Sequence, residues 1–153
     1  MAVRVYFNTS ALNRPLDALS SERVRLEAEA VVAVLAAIED GVLEWVGSEY
    51  LDFEISQDPD RERVRRVTGL LRLVGRRIEM SDAVVERARA LEGLGLRGLE
   101  ALHIASAEAG QAELLVTTDD RMIRRAARAG SKVRVRLVGP VEALTIATRR
   151  RTR

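Results

Sequence analysis

The sequence predicts an α/β fold: a three-layer α/β/α sandwich with a mostly parallel central sheet. Short apolar runs that are typical of buried strands alternate along the chain with longer segments of helical periodicity. Such alternation is typical of a parallel sheet that is covered by helices on both faces. At 153 residues, with 47% hydrophobic residues, the chain is long enough for one domain with a substantial core.

The predicted strands are short and rich in residues that favour β-structure. Val3–Phe7 alternates in polarity and is predicted to be the first, central strand. The run Leu114–Val116 precedes two threonines and two aspartates, as expected for a buried parallel strand that ends at a polar site. The other predicted strands are Leu43–Val46, Arg76–Met80 and Val133–Val138.

The predicted helices begin at residues that can cap a helix N-terminus, namely Ser20 or Ser21, Ser48, and Ser81 or Asp82. Gly41 is a predicted helix stop, and Pro15 predicts a loop over residues 11–17. The predicted helical segments are Glu22–Glu39, Glu49–Ile55, Pro59–Val74, 82–91, 99–109, 120–129 and a last helix from Pro140. Residues 1–148 are predicted to form the single domain, and 149–153 a disordered basic tail.

Composition excludes several classes of protein. The chain has no cysteine, so it has neither disulfides nor a thiolate zinc site. No apolar run reaches the roughly 18 residues of a membrane span, and the N-terminus does not resemble a signal peptide, so we expect a cytoplasmic protein. The net charge of +2 does not by itself identify a nucleic-acid-binding protein, and the preference for arginine is also what a GC-rich genome would produce.

Polar residues that are suited to a metal site follow or flank several predicted strands. Asn8 ends the first strand, and Asp119 follows the fourth. Glu54 lies on the helix after the second strand, and Glu100 on the helix before the fourth. Because the carboxyl ends of parallel strands share one edge, we expect these side chains to face one cleft. Carboxylate oxygens are the ligands that Mg²⁺ and Mn²⁺ prefer, which suggests metal-assisted hydrolysis of a phosphodiester.

Four segments, in this order, resemble the PIN-domain family, which includes the VapC-type toxin ribonucleases of toxin–antitoxin pairs. They are the strand with NTS-x-LNRP at residues 3–15, EYLDFEI at 49–55, GLEALHIASA at 98–107 and LLVTTDDRM at 114–122. The resemblance covers the chain from Val3 to about Val138. It implies a compact α/β/α fold, a frequent homodimer, Mg²⁺- or Mn²⁺-dependent cleavage of RNA, and a cognate antitoxin protein as partner.

The resemblance also implies roles for individual residues. Glu54, Glu100 and Asp119 match the family acids and would hold the metal, with Asp120 as an additional acid. The family has an aspartate where this chain has Asn8, and Glu100 replaces the usual third aspartate. The residues that would support the site are Thr9, Ser10, His103 and Thr117, and those that would contact RNA are Arg14, Arg121 and Arg124.

Asn8 leaves three explanations open: a weakened or inactive natural relative, compensation by Asp120, or a deliberate change that silences a toxic nuclease. The predicted function is therefore a metal-dependent endoribonuclease of the PIN type, weakened or inactivated by Asn8. The alternative is an inactive PIN-like module that binds RNA or a protein partner. An unrelated domain that binds a small phosphate ligand is less favoured, because no glycine-rich phosphate loop follows the first strand.

Overall fold

The computed structural model describes residues 2–151 and contains one five-stranded sheet. All of its strand pairs are parallel, and the strand order is β3-β2-β1-β4-β5. β1 is therefore the central strand, as predicted. The strands are β1 Val3–Phe7, β2 Leu43–Ser48, β3 Val74–Ile78, β4 Leu114–Val116 and β5 Arg136–Val138.

Helices cover both faces of this sheet. In β1 the consecutive residues Val5, Tyr6 and Phe7 are all fully buried, which requires cover on both faces because successive side chains of a strand point in opposite directions. The predicted α/β/α fold is thus confirmed. The helices of the described region are α1 Thr9–Asn13, α2 Glu22–Glu39, α3 Glu49–Ser56, α4 Arg61–Leu70, α5 Asp82–Glu92, α6 Gly98–Ala109, α7 Asp120–Ala129 and α8 Pro140–Arg151.

Several helix boundaries follow directly from the local sequence. Ser21, Ser48 and Ser81 each accept a hydrogen bond from a backbone N–H in the first turn of the following helix, as predicted. Gly41 adopts a φ of 80°, a left-handed conformation that favours glycine and terminates α2. Trp45 is buried in the core, where its ring meets the edge of Phe7 at a centroid distance of 5.3 Å.

The segment after β1 differs from the loop predicted over residues 11–17. It forms α1 and then a 3-10 turn at Arg14–Leu16. The prediction was wrong because Pro15 lies in the first turn, where a missing N–H costs no hydrogen bond, and because Asn8 caps α1.

Other boundaries shift by a few residues. The basic helix ends at Leu70, and a 3-10 turn leads into β3, which starts two residues before the predicted strand. The strand predicted over Val133–Val138 begins only at Arg136, after a 3-10 turn. α8 continues through Arg151 and therefore takes in the first three residues of the predicted disordered tail, where Arg150 pairs with Glu113 at 3.4 Å. Residues 152 and 153 lie outside the described residues.

The topology determines where a ligand can approach the sheet. The chain proceeds from β1 to β2 and β3 on one side, and then crosses to β4 and β5 on the other. The connections therefore reverse direction between β1 and β4, where open parallel sheets bind ligands at the carboxyl edge. Within residues 2–151, every helix is too short or too polar to cross a lipid bilayer.

Candidate functional site

The residues that follow β1 and β4 meet at this reversal point. The backbone N–H of Asn8 donates to the carbonyl of Val116, and the Asn8 side-chain Nδ2 donates to Oγ1 of Thr117 at 2.7 Å. Both Asn8 and Thr117 are buried. Two segments more than 100 residues apart in the sequence are therefore joined at the carboxyl edge of the sheet.

The amide of Asn8 belongs to a ring of three polar side chains. Its Oδ1 accepts from Ser10 Oγ at 2.9 Å and from the backbone N–H of Ala11 at 3.2 Å. Ser10 Oγ lies 3.4 Å from Thr117 Oγ1, which closes the ring. In this ring the Asn8 side chain donates through Nδ2 and accepts through Oδ1. An amide provides both, whereas an ionised carboxylate only accepts.

Glu54 forms the second half of the site. Its Oε1 accepts from Thr9 Oγ1 and lies 3.0 Å from His103 Nε2, and its Oε2 accepts from the Tyr50 hydroxyl at 2.9 Å. Burial raises the pKa of Glu54, but the hydrogen bond and charge of His103, with the hydrogen bonds from Thr9 and Tyr50, lower that pKa to about 2. Glu54 is therefore ionised at neutral pH.

Behind Glu54, His103 is buried and connected to β1 through Tyr6. The Tyr6 hydroxyl lies 2.7 Å from His103 Nδ1 and 2.8 Å from Ser48 Oγ. Sequence reasoning placed His103 in support of the site but missed Tyr6, Ser48 in this role, and Tyr50. A signal existed for Tyr6: a tyrosine one residue before the end of a central strand buries a hydroxyl that needs a partner.

The remaining predicted acids make their polar contacts with other groups than the partners of Glu54. Glu100 pairs with Arg125 at 2.6 Å and also accepts from the backbone N–H of Arg97 at the start of α6. Asp119 caps α7 by accepting from the backbone N–H groups of Arg121 and Met122.

Asp120 is exposed and pairs with Arg23 at 2.9 Å. The hydrogen bond from Arg23, with the charges of Arg23 and Arg124, holds the pKa of Asp120 below its usual value. Asp120 therefore forms a surface ion pair that joins α2 and α7.

Each predicted metal ligand has other partners in this structure. Within residues 2–151, no three His, Asp or Glu side chains are placed to hold one metal ion. Glu100 pairs with Arg125, Oδ1 of Asp119 caps α7, and Asn8 brings no charge. The oxygens near Glu54 are of the type that Mg²⁺ accepts, but the predicted ligand set Glu54, Glu100 and Asp119, with Asp120, is not assembled here.

The three arginines that were predicted to contact RNA differ in their surroundings. Arg14 is largely buried and pairs with Asp17 at 3.1 Å and Glu27 at 3.2 Å, so its charge is already balanced. Arg121 and Arg124 are exposed on α7, and in the described part of the chain neither lies within ion-pair distance of a carboxylate. The positive surface next to the site is therefore carried by α7 rather than by the segment after β1.

Solved structures with the same fold include the following two. One is PAE2754 from Pyrobaculum aerophilum, with a TM-score of 0.57 and 16% identity over 97% of this chain and 99% of that one. The other is VapBC2 from Rickettsia felis, bound to a DNA fragment from its promoter, with a TM-score of 0.55 and 14% identity over 90% of this chain and 98% of that one. No family model and no curated relative matches the sequence. At these identities the likeness establishes the fold, which agrees with the PIN-like resemblance.

Proposed function

We propose that the protein is a PIN-type endoribonuclease of the VapC toxin kind, and that Asn8 weakens it. The observation that carries the proposal lies at the carboxyl edge of the sheet, where the connections reverse: Asn8 contacts Thr117, and the next residue, Thr9, donates to the ionised Glu54. The likeness in fold to VapBC2 supports the proposal at the level of architecture.

The chemistry of the cleft supports phosphodiesters as the substrate class. Glu54 keeps its charge at neutral pH, and its low pKa makes it a weak base, so it is better suited to holding a cation or orienting a water molecule than to removing a proton. The exposed guanidinium groups of Arg121 and Arg124 would contact RNA phosphates. Dependence on Mg²⁺ or Mn²⁺ is part of the proposal, although the acids of this chain do not form a three-carboxylate centre.

The test is a paired ribonuclease assay of the chain and its Asn8→Asp variant on a broad RNA panel, in Mn²⁺ and in EDTA. We expect cleavage to rise at least about 10-fold in the variant and to disappear in EDTA, because an aspartate restores a negative charge at the end of β1, next to the Thr9 that contacts Glu54. An Asp119→Ala variant of the cleaving form should lose activity. Absence of cleavage by both the chain and Asn8→Asp would overturn the proposal.

A second function is favoured by the ring around Asn8. Since the amide satisfies Ser10, Ala11 and Thr117 together, position 8 is well suited to a structural role. The protein would then be an inactive PIN-like module that binds RNA or a protein. Salt-sensitive RNA binding without cleavage, unchanged by EDTA, would favour this function.

The resemblance extends the proposal to protein partners, namely a cognate antitoxin and a second copy of the chain. The fold likeness to VapBC2 supports the antitoxin only at the level of architecture. Co-expression with the product of a small neighbouring gene, followed by size-exclusion chromatography, would test both partners. Elution of the chain as a monomer, with no co-purifying protein, would contradict both.

A further inference from the structure

A continuous chain of buried polar groups connects the start of α3 with Glu54. It runs from Ser48 Oγ to the Tyr6 hydroxyl at 2.8 Å, from that hydroxyl to His103 Nδ1 at 2.7 Å, and from His103 Nε2 to Glu54 Oε1 at 3.0 Å. Ser48, Tyr6 and His103 are each at most 4% exposed. Because bulk water cannot reach these groups, each hydrogen must find its acceptor within the protein.

The Glu54 carboxylate at one end of this chain of contacts determines which group donates in each hydrogen bond. Glu54 accepts a hydrogen bond on each carboxylate oxygen, from Thr9 at Oε1 and from Tyr50 at Oε2. The carboxylate therefore acts as an acceptor, and His103 Nε2, which faces Oε1, must carry a hydrogen. If Nδ1 is bare, Tyr6 donates to it and Ser48 donates to Tyr6. Ser48 Oγ in turn accepts the backbone N–H of Leu51 as the cap of α3.

The opposite arrangement leaves a group without a partner. If Nδ1 carried a hydrogen, it would donate to Tyr6, and Tyr6 would donate to Ser48. The Ser48 hydroxyl hydrogen would then have no acceptor among the described residues. The neutral ring with a bare Nδ1 uses every hydrogen in the chain of contacts.

We propose that Tyr6 is a positioning residue: its hydroxyl donates to His103 Nδ1 and thereby fixes the imidazole in the tautomer that donates from Nε2 to Glu54. The burial of Tyr6 raises its pKa well above the ordinary value, so the hydroxyl keeps its hydrogen over the working pH range. Tyr6 lies on β1 two residues before Asn8, so the same strand positions both halves of the site.

The composition of the chain makes a direct test practical. His103 is the only histidine, so the imidazole signals in ¹⁵N nuclear magnetic resonance belong to one residue. At about pH 8, where a free histidine is neutral, we expect Nε2 to resonate as a hydrogen-bearing nitrogen and Nδ1 as a bare one. A hydrogen on Nδ1 in the unaltered protein would overturn the proposal without any variant.

The two tyrosines of the chain provide a matched pair of variants. Both rings meet the His103 ring edge-on, at centroid distances of 5.7 Å for Tyr6 and 4.9 Å for Tyr50, but only the Tyr6 hydroxyl contacts Nδ1. We expect Tyr6→Phe to move the two nitrogen signals toward the average of the two tautomers, and Tyr50→Phe to leave them nearly unchanged. Equal spectra of Tyr6→Phe and the unaltered protein would overturn the proposal. A thermal melt checks that both variants fold.

The inference deepens the proposed function, and its activity measurement rests on that function. In the Asn8→Asp form, we expect Tyr6→Phe to lower kcat by about 10-fold while changing KM little, since a mispositioned Glu54 affects the reaction more than RNA binding. An unchanged kcat, with shifted nitrogen signals, would limit Tyr6 to a structural role and overturn its positioning role. If no form cleaves RNA, the proposed function fails, and the nitrogen signals still decide the hydrogen positions at His103.

Discussion

Each residue of the ring formed by Asn8, Ser10 and Thr117 provides a hydrogen-bond partner for the other two. Thr117 Oγ1 accepts from Asn8 Nδ2 and from the backbone N–H of Asp119 at 3.1 Å. Thr117 is fully buried, so neither donor can turn to bulk water without local opening of the structure. The hydroxyl therefore connects the ends of β1 and β4 and the start of α7.

We expect Thr117→Val to lower the free energy of unfolding by about 2 kcal/mol, because it keeps the shape of the side chain but leaves two donors without an acceptor. Urea denaturation followed by circular dichroism would measure the change. Thr118→Val is the matched control: Thr118 is more exposed, and its side chain makes no hydrogen bond within the described region. Equal midpoints for the two variants would contradict this role of Thr117.

The lowered pKa of Glu54 predicts how the free energy of unfolding depends on pH. Its pKa is about 2 in the folded protein, against an ordinary value of 4.5, so the folded state binds this proton less readily than the unfolded state. Its contribution to stability is therefore complete above about pH 4.5 and is lost as the pH falls toward 2. We expect Glu54→Gln to flatten the stability profile in this window, measured in EDTA. An unchanged slope would contradict the ionised state of Glu54, and Glu86→Gln, at an exposed position on α5, is the control.

At the scale of elements, a series of ion pairs holds the segment after β1 against three helices. Glu27 on α2 is its centre, because it lies 3.2 Å from Arg14 and 3.5 Å from Arg23. Arg14 continues to Asp17, and Asp17 to Arg63 on α4, while Arg23 continues to Asp120 on α7. α2, α4 and α7 are thereby connected around the segment that carries Asn8.

We expect Glu27→Gln to lower the free energy of unfolding by about 2 kcal/mol, since the Glu27 side chain is only 9% exposed and its loss leaves two arginines facing each other. Glu62→Gln is the control, because Glu62 pairs with Arg65 and Arg66 within one exposed helix and should leave the urea midpoint unchanged. Equal effects of the two substitutions would show that this ion-pair series contributes no more than surface pairs do.

The same elements show how far the sequence predicts this fold. Strand identity, the central place of β1 and the serine caps follow from local patterns, so they were predictable. The helical segment after β1 was not, because Pro15 is compatible with both a loop and the first turn of a 3-10 helix. Its conformation depends on Arg63, which donates to the carbonyls of Asn13 and Leu16 from about 50 residues away.

For the site, the sequence predicts which segments converge, but it does not predict which side chains are paired with other residues. The meeting of Asn8 and Thr117 follows from parallel topology, which periodicity predicts. The pairing of Glu100 with Arg125 depends on how α6 and α7 are oriented, and no local pattern encodes that orientation. The partners of the predicted metal ligands therefore could be seen only in the structure, and the ligand set stays a prediction.

At the scale of the whole molecule, charge is distributed unevenly even though the net charge is only +2. Many surface arginines are balanced, as Arg65 and Arg66 are by Glu62 on α4. Arg121 and Arg124 are exposed on α7, directly after the edge where Asn8 and Thr117 meet, and lie beyond ion-pair distance of carboxylates in the described region. α7 therefore presents exposed positive charge next to that edge.

We expect the double substitution Arg121→Gln and Arg124→Gln to weaken binding of single-stranded RNA to a similar degree for all sequences. It should also reduce the slope of log affinity against log salt by roughly 1.4, as expected for two lost phosphate contacts. Fluorescence anisotropy with Asn8 retained measures binding without cleavage. The matched control is Arg65→Gln with Arg66→Gln, which removes the same charge from α4 and should change the slope much less. If both pairs change the slope equally, RNA responds to total charge only, and α7 is not the RNA-binding surface.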